Sequence, residues 1–183
     1  MTFDSKEQSI LEKLDSAVAQ KSMIERFDRA ALDLDAQLAD DPGLLLAWET
    51  IPLQSYGVDL PDAIQSSWVF ILRADIATLP ERHPNSHQRM VVYRGEGDFQ
   101  TWGDGRWQSN DLVSDPSAPL QQRWVSIPPN TWHRSMKPRE NLVVVSFHTA
   151  TEQDLIEENG DPETATPTHR RKYAEASPGS ARF

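Results

Sequence analysis

Short runs of β-forming residues, separated by turn residues, occupy the chain from residue 44 to residue 149. The runs cover 44–51, 67–74, 88–94, 98–102, 106–109, 120–127 and 141–149, and Pro, Gly, Asn and Asp lie between them. Asp104-Gly105 predicts a hairpin turn between Trp102 and Trp107, because both central residues take positive φ at low cost. Many short strands without intervening helices are typical of a sandwich or a barrel. We therefore predict a β-sandwich or a β-barrel over residues 44–150.

Two amphipathic helices are predicted before the strands. Ser5 with Gln8 resembles a capping box, Ser22 with Glu25 repeats the signal, and apolar residues recur at helical spacing after each pair. The turn residues that follow position 39 end the second helix. We predict a helical extension over residues 1–43, whose apolar stripes cover a sheet face or a dimer partner.

The end of the chain has a different composition. After Thr149 it becomes acidic and then contains Pro, Ser and Gly. Residues 153–159 are compatible with a short helix, and the remainder is predicted to wander or to pack as an extended arm. Residues 151–183 are thus predicted to be an acidic and then polar tail, with His169 inside it.

Composition excludes several classes of partner and site. The 183 residues suit one domain, and the formal net charge of −10 disfavours binding to nucleic acid. The apolar runs are too short for a membrane span, and the start lacks a signal-peptide core, so we expect no membrane partner and a cytoplasmic location. The chain contains no Cys, which removes thiolate ligands and a cysteine nucleophile.

Four of the five histidines lie in or beside the predicted strands. Glu81 and His83 are two residues apart, so their side chains share one face if this stretch is extended. His87 has the same parity, although the Pro84-Asn85 pair interrupts a regular strand. His133 follows a second turn, so imidazoles on two strands that approach from opposite sheets are predicted to converge.

The spacing of these residues resembles the two motifs of the cupin superfamily over about residues 65–149. The first motif has two histidines one residue apart, then a glutamate and a glycine; here it falls as Glu81-Arg-His83, four residues, Gln88, six residues and Gly95. The second motif, Pro-x-Gly-x-x-His, falls as Pro128-Pro-Asn130-Thr-Trp-His133. Glu81 stands in place of a histidine and Gln88 in place of the glutamate. In the second motif, Asn130 replaces the glycine after the prolines, and Gln122 replaces the glycine that leads the motif. Asn130 is suited to a left-handed conformation.

The resemblance implies an all-β fold: a cupin-like double-stranded β-helix, or jelly-roll barrel, with an N-terminal α-helical segment. It also implies His83 and His133 as metal ligands. Adding Glu81 gives two histidines and one carboxylate, a set that suits a divalent ion such as Fe²⁺, Mn²⁺ or Zn²⁺. Gln88 is predicted to be a weak fourth ligand or a hydrogen-bond partner of the substrate. If the loop bends, His83, His87 and His133 form a three-histidine site instead.

Strand alternation also predicts the direction in which several other side chains point. His148 shares a strand face with Val144 and Ser146, so it either supports the ligands from inside or is a hydrogen-bonded polar residue near a strand end. Arg82 and Arg89 are expected to face away from the Glu81 and His83 side. Four aromatic residues are predicted to be core more than cavity lining. They are Trp68, Phe70, Trp124 and Trp132.

By the same resemblance, we expect a metal-dependent small-molecule enzyme, foremost a dioxygenase-like oxidoreductase and otherwise an isomerase or lyase. One alternative is a metal-free or structurally metallated module that binds or senses a small molecule. Another is a protein-interaction module led by the helical pair. Exposed sheet edges are helped by association, so a homodimer is the expected assembly.

Overall fold

The computed structural model describes residues 2–164 and 166–172. In this part of the chain, two α-helices precede twelve β-strands. The helices are α1 (Ser5–Val18) and α2 (Lys21–Asp40). The strands are β1 (Leu46–Thr50), β2 (Ser66–Leu72), β3 (Glu81–Arg82), β4 (Gln88–Arg94), β5 (Glu96–Gly103), β6 (Arg106–Gln108), β7 (Asp111–Val113), β8 (Trp124–Ile127), β9 (His133–Ser135), β10 (Leu142–His148), β11 (Ile156–Gly160) and β12 (Pro167–Lys172).

The strands form two antiparallel layers. The five-stranded sheet has the order β1-β2-β10-β4-β8, and the second has the order β12-β11-β3-β9-β5-β6, with β7 also paired to β5. Phe99 and Leu112 of the second layer share an apolar cluster with Met90 and Val144 of the first. Strands distant in sequence lie side by side, as β2 does with β10 and β3 with β9. The predicted jelly-roll barrel with an N-terminal helical segment is confirmed.

Successive residues of β4 and β10 serve opposite faces of the five-stranded sheet. Val143, Val145 and Phe147 belong to the core that includes residues of both helices. Val144 and Met90 belong instead to the core between the two sheets. Side chains along a strand alternate between its two faces, so this sheet is covered by helices outside and by the barrel interior inside.

Both predicted helices are confirmed, and their apolar stripes cover the sheet, which is the first of the two roles expected for them. The predicted capping residues are wrong. Asp4 caps α1, since its carboxylate accepts a hydrogen bond from the Glu7 backbone N–H at 2.8 Å. The residue before α2 is Gln20, which makes no side-chain capping bond. Among the described residues, no helix combines the length and apolar character that crossing a bilayer requires.

The predicted hairpin turn between β5 and β6 is also confirmed. Asp104 and Gly105 have φ values of 53° and 71°. Trp102 and Trp107 are cross-strand partners, with ring centroids 5.3 Å apart in an edge-on arrangement. Asn130, as predicted, takes the left-handed conformation with a φ of 64°.

The region after residue 150 departs from the prediction. The short helix predicted over 153–159 is wrong, because β11 and β12 form an antiparallel hairpin that pairs with β3. Buried Glu157 and Glu158 are matched on β12 by Arg171 and Arg170, so ion pairs hold this polar hairpin. The second sheet therefore continues beyond the boundary predicted for the barrel, and residues 173–183 of the predicted tail lie outside the described residues.

Candidate metal centre

A cavity of about 380 Å³ lies between the two sheets, within the size range of small-molecule sites. Much of its wall is apolar and comes from both sheets. These apolar residues include Leu46, Phe70, Leu72, Met90, Phe99 and Val144. Glu81, His83 and His133 line the same cavity, so three side chains of types that can bind a metal face a space whose wall is largely apolar.

The two hairpins that carry these three residues are joined by their backbones. Glu81 on β3 and His133 on β9 are direct cross-strand partners. His83 follows the end of β3, and its carbonyl oxygen accepts a hydrogen bond from the Asn130 N–H at 3.0 Å. The left-handed Asn130 thus connects the turn before His133 to the backbone of His83. Strand pairing and this turn bring together residues that are fifty positions apart in sequence.

The three side chains form a compact set of ligand atoms. One nitrogen from each of His83 and His133 and one oxygen of Glu81 lie within 4.8 Å of one another. Glu81 Oε1 is 3.3 Å from His133 Nε2, and the two imidazole centroids are 5.4 Å apart. Both histidines are buried. Glu81, His83 and His133 thus come together as predicted, but the expected approach from opposite sheets is wrong, because β3 and β9 are neighbours in one sheet.

Backbone carbonyls fix the orientation of both imidazoles. His83 Nδ1 lies 3.0 Å from the Ile156 carbonyl oxygen, and His133 Nδ1 lies 3.1 Å from that of Thr131. A carbonyl oxygen only accepts, so each Nδ1 carries a hydrogen, and Nε2 is the ring nitrogen left to bind an ion. Metal-binding histidines are commonly held in this way. His133 Nε2 is buried and has no hydrogen-bond partner within the described part of the chain.

The charges of the site also suit metal binding. Burial lowers the pKa of His83 to about 4, helped by the charge of His133 and opposed by Glu81 and the Ile156 carbonyl. Burial alone would raise the pKa of Glu81, but contact with His133 and the nearby positive charges lower it overall. At neutral pH His83 is therefore uncharged and Glu81 is ionised, which are the forms that bind a cation.

Gln88 lines this cavity from β4, on the opposite sheet. Its Nε2 lies 3.2 Å from Ser146 Oγ and 3.3 Å from Met90 Sδ. Its Oε1 is buried without a hydrogen-bond partner among the described residues. The structure thus places Gln88 in the same cavity as the three ligand candidates.

His87, the remaining ligand candidate, is directed away from the cavity. Its Nε2 lies 2.8 Å from Ser126 Oγ and 3.9 Å from Glu7 Oε1 of α1. The turn at Pro84-Asn85 breaks the parity that relates His87 to His83, and Gln88 rather than His87 faces inward. The structure does not form the alternative three-histidine site.

His148 meets both predictions in part: it faces inward, and it is a hydrogen-bonded polar residue. It lines the cavity, and its ring meets that of His83 edge-on with centroids 5.0 Å apart. Its Nε2 lies 2.9 Å from Ser146 Oγ and its Nδ1 lies 3.3 Å from Ser86 Oγ. Burial, then the charges of His83 and His133, hold its pKa well below the ordinary value. His148 is an inward-facing, neutral and hydrogen-bonded neighbour of His83.

Both arginines beside the first motif face away from the cavity, as predicted. Arg82 binds Glu158 and stacks over Trp132, with its Cζ 4.6 Å from the ring centroid. Arg89 binds Glu7 of α1. Most of the four aromatic residues belong to the core, as predicted. Trp68, Trp124 and Trp132 are buried, whereas Phe70 is partly buried and lines the cavity.

The terminal hairpin contributes five cavity-lining residues that were not predicted from the sequence, namely Glu157, Asn159, Thr168, His169 and Arg171. Arg171 Nη2 lies 2.9 Å from Glu157 Oε1. Burial raises the pKa of Glu157 to about 7, with a contribution from Glu81 and opposition from Arg171. The adjacent acidic residues of β11, followed by adjacent basic residues in β12, are the signal that could have indicated a cross-strand ion-paired hairpin.

Comparison with known proteins gave matches among solved structures. No protein-family model matches the chain, and no curated protein matches it. The capsular polysaccharide assembling protein CapF from Staphylococcus aureus aligns with a TM-score of 0.44 and 14% identity, over 57% of this chain and 26% of CapF. Coconut allergen cocosin aligns with a TM-score of 0.48 and 18% identity, over 65% of this chain and 29% of cocosin.

An oxalate oxidase in complex with the substrate analogue glycolate aligns with a TM-score of 0.45 and 13% identity, over 60% of this chain and 53% of the oxidase. The aligned part thus spans about a quarter of CapF and about half of the oxidase. By its sheet topology, the chain has the cupin-like jelly-roll fold that its two motifs indicated.

Proposed function

We propose that this protein is a metal-dependent small-molecule enzyme of cupin type, with a divalent ion held by His83, His133 and Glu81. The observation that carries the proposal is the arrangement of one imidazole nitrogen from each histidine and one carboxylate oxygen within 4.8 Å of one another. Both rings are held by carbonyl acceptors at Nδ1. Three protein ligands leave coordination positions open, as catalytic metal sites require.

The residues present fit such an ion. His133 Nε2 is buried without a hydrogen-bond partner in the described chain, and a metal ion would use its lone pair. Burial keeps His83 neutral and the surrounding positive charge keeps Glu81 ionised. Two imidazoles and one carboxylate on one side of an ion suit Fe²⁺, Mn²⁺ or Zn²⁺.

The chemistry that we favour is a dioxygenase-like oxidation. A bound Fe²⁺ would supply open positions for substrate and O₂, whereas Zn²⁺ or Mn²⁺ would act as a Lewis acid for an isomerase or lyase. The protein contributes an apolar cavity that orients the substrate and excludes water from the ligands. Phe70 and Val144 of one sheet and Phe99 of the other provide this wall.

A metal-free or structurally metallated binding module is the second candidate. The observation that favours it is that two ligand positions of the cupin motif carry other residue types here, since Glu81 stands in place of a histidine and the neutral Gln88 in place of the glutamate. Its walls suit a small organic molecule with or without a metal ion. Metal content separates the metal enzyme from a metal-free module, and turnover separates it from a structurally metallated one.

The first experiment measures metal bound to protein that has been expressed and purified without chelators. We expect about one ion per chain in the wild type and a loss of most of it in His83→Ala and His133→Ala. His87→Ala is the matched control, because this histidine faces α1 and not the cavity. A wild type without stoichiometric metal, or equal loss in all three variants, would contradict the proposal.

The second experiment tests the reaction class. Metal-free protein is reconstituted with Fe²⁺ without oxygen, and oxygen uptake is then followed across a library of small organic molecules. A dioxygenase consumes oxygen only with its substrate and only with intact ligands, so His83→Ala should show none. Turnover of a library member without oxygen consumption would indicate an isomerase or a lyase instead.

A further inference from the structure

Gln88 is the cavity residue whose hydrogen bonds are incomplete. It is 4% exposed and lines the same cavity as Glu81, His83 and His133. The two ends of its amide have different surroundings, so each end can be assigned a role from its neighbours.

The nitrogen end of the amide is tied to the cavity wall. Nε2 lies 3.3 Å from Met90 Sδ and 3.2 Å from Ser146 Oγ. A thioether sulfur is only an acceptor, so the amide atom beside it must be the N–H₂ group and not the oxygen. Both amide hydrogens therefore have acceptors, and the orientation of Gln88 is fixed.

The hydrogen bonds continue from Ser146 through a row of buried groups. Ser146 Oγ donates to His148 Nε2 at 2.9 Å, and the hydrogen on His148 Nδ1 is directed to Ser86 Oγ at 3.3 Å. With the hydrogens placed in this way, each polar hydrogen from Gln88 through Ser146 to His148 has an acceptor. Ser86 Oγ is itself held by the backbone N–H groups of Thr149 and Ala150. The row leaves the Gln88 amide little freedom to turn.

The oxygen end remains without a donor. Gln88 Oε1 is buried and has no hydrogen-bond partner among the described residues. A buried acceptor left without a donor carries a desolvation penalty, which a bound molecule with a donor group removes. As a neutral amide oxygen it is also a poorer ligand for Fe²⁺ or Zn²⁺ than the imidazoles of His83 and His133.

We propose that Gln88 Oε1 accepts a hydrogen bond from a hydroxyl or N–H group of the molecule that the cavity binds. The rest of that molecule is apolar and packs against Phe70, Leu72 and Val144. This inference rests on the proposed function insofar as the molecule is the substrate, and it assigns Gln88 to substrate recognition and not to the metal.

The test uses three probes of matched shape: 2-phenylethanol, its methyl ether and propylbenzene. Their affinities for the full-length protein are measured by ligand-detected NMR. The alcohol has a donor that the other two lack, so we expect it to bind about five- to tenfold more tightly than the methyl ether. In Gln88→Met, which keeps the length of the side chain, the two affinities should agree within about twofold while propylbenzene binds as before.

Gln88→Leu is the second variant, and the comparison uses whichever variant retains the circular dichroism of the wild type. The proposal is overturned if the alcohol has no advantage in the wild type, if its advantage survives the loss of the amide, or if none of the probes binds. Metal content is measured on the same samples. An alcohol preference in protein that holds no metal refutes the metal enzyme but not the role of Gln88. Normal metal content without an alcohol preference refutes the role of Gln88 but not the metal enzyme.

Discussion

Replacement of Glu7 by Ala should destabilise the whole protein, because Glu7 connects α1 to the five-stranded sheet. Arg89 donates from Nε to Glu7 Oε1 and from Nη2 to Glu7 Oε2, both at 2.7 Å. Ser126 Oγ donates to the same carboxylate at 2.6 Å. The Arg89 side chain is only 4% exposed. Without Glu7, a guanidinium would be buried with no opposite charge.

Removing one partner of a buried ion pair typically costs about 3–5 kcal/mol. Such a loss is a large part of the roughly 5–15 kcal/mol by which domains are stable. The assay is urea unfolding at pH 7, followed by tryptophan fluorescence. Glu12→Ala is the matched control, because Glu12 is an exposed carboxylate on the same helix that binds only Gln8 among the contacts described. Its replacement should change stability by less than about 0.5 kcal/mol.

The reasoning fails if Glu7→Ala costs under about 1 kcal/mol, or no more than the Glu12 control. A double variant, Glu7→Leu with Arg89→Met, should be less destabilised than Glu7→Ala, since it buries no charge. The pH dependence has a definite sign. Bonds from Arg89 and Ser126 outweigh burial and lower the pKa of Glu7 in the folded state. The stabilisation is therefore present above the ordinary pKa of a glutamate and is lost as pH falls through the lowered folded value.

Two further predictions concern His83. In metal-free protein its folded pKa of about 4 lies below the ordinary 6.5, so the unfolded chain takes up the proton first, and stability should fall as pH decreases through that window. Urea unfolding between these pH values should show a weaker dependence in His83→Gln, and parallel curves for both proteins would contradict this. Asn85→Ala should lower metal affinity about tenfold in a chelator competition, because Asn85 holds the Ile156 N–H at 3.1 Å, and the Ile156 carbonyl orients His83. Asn85→Asp keeps the acceptor for Ile156 but loses the Nδ2 donor to the Asp154 carbonyl oxygen at 2.7 Å, so it should recover part of the affinity; a loss equal to that of Asn85→Ala would argue against this role.

The parts of the site that follow from local geometry could be predicted from the sequence. The two-residue spacing of Glu81 and His83 places both side chains on one face, and the turn at Asn130 needs a residue that tolerates positive φ. The resemblance to the cupin motifs then related His133 to them. These features depend on neighbours in sequence or on a spacing that a motif records.

The missed parts depend on contacts between distant residues. Glu157 and Glu158 are buried because arginines lie opposite them, and hydropathy alone assigns such a segment to the surface. The carbonyl of Ile156, which orients His83, lies 73 positions away in the chain. His87 was a ligand candidate because its parity matched that of His83, and only the turn between them shows that the two point to opposite sides.

Along β4 and β10, residues that face the cavity alternate with residues that face the helices. This alternation has a practical consequence for redesign. Gln88, Met90 and Val144 face the cavity, while their immediate neighbours Arg89 and Val145 contact the helices or the core beneath them. A variant library restricted to the inward positions can therefore alter ligand preference while leaving the attachment of the helices intact. A deletion of one residue within β4 would exchange the two sets, and selection should remove such variants from any library.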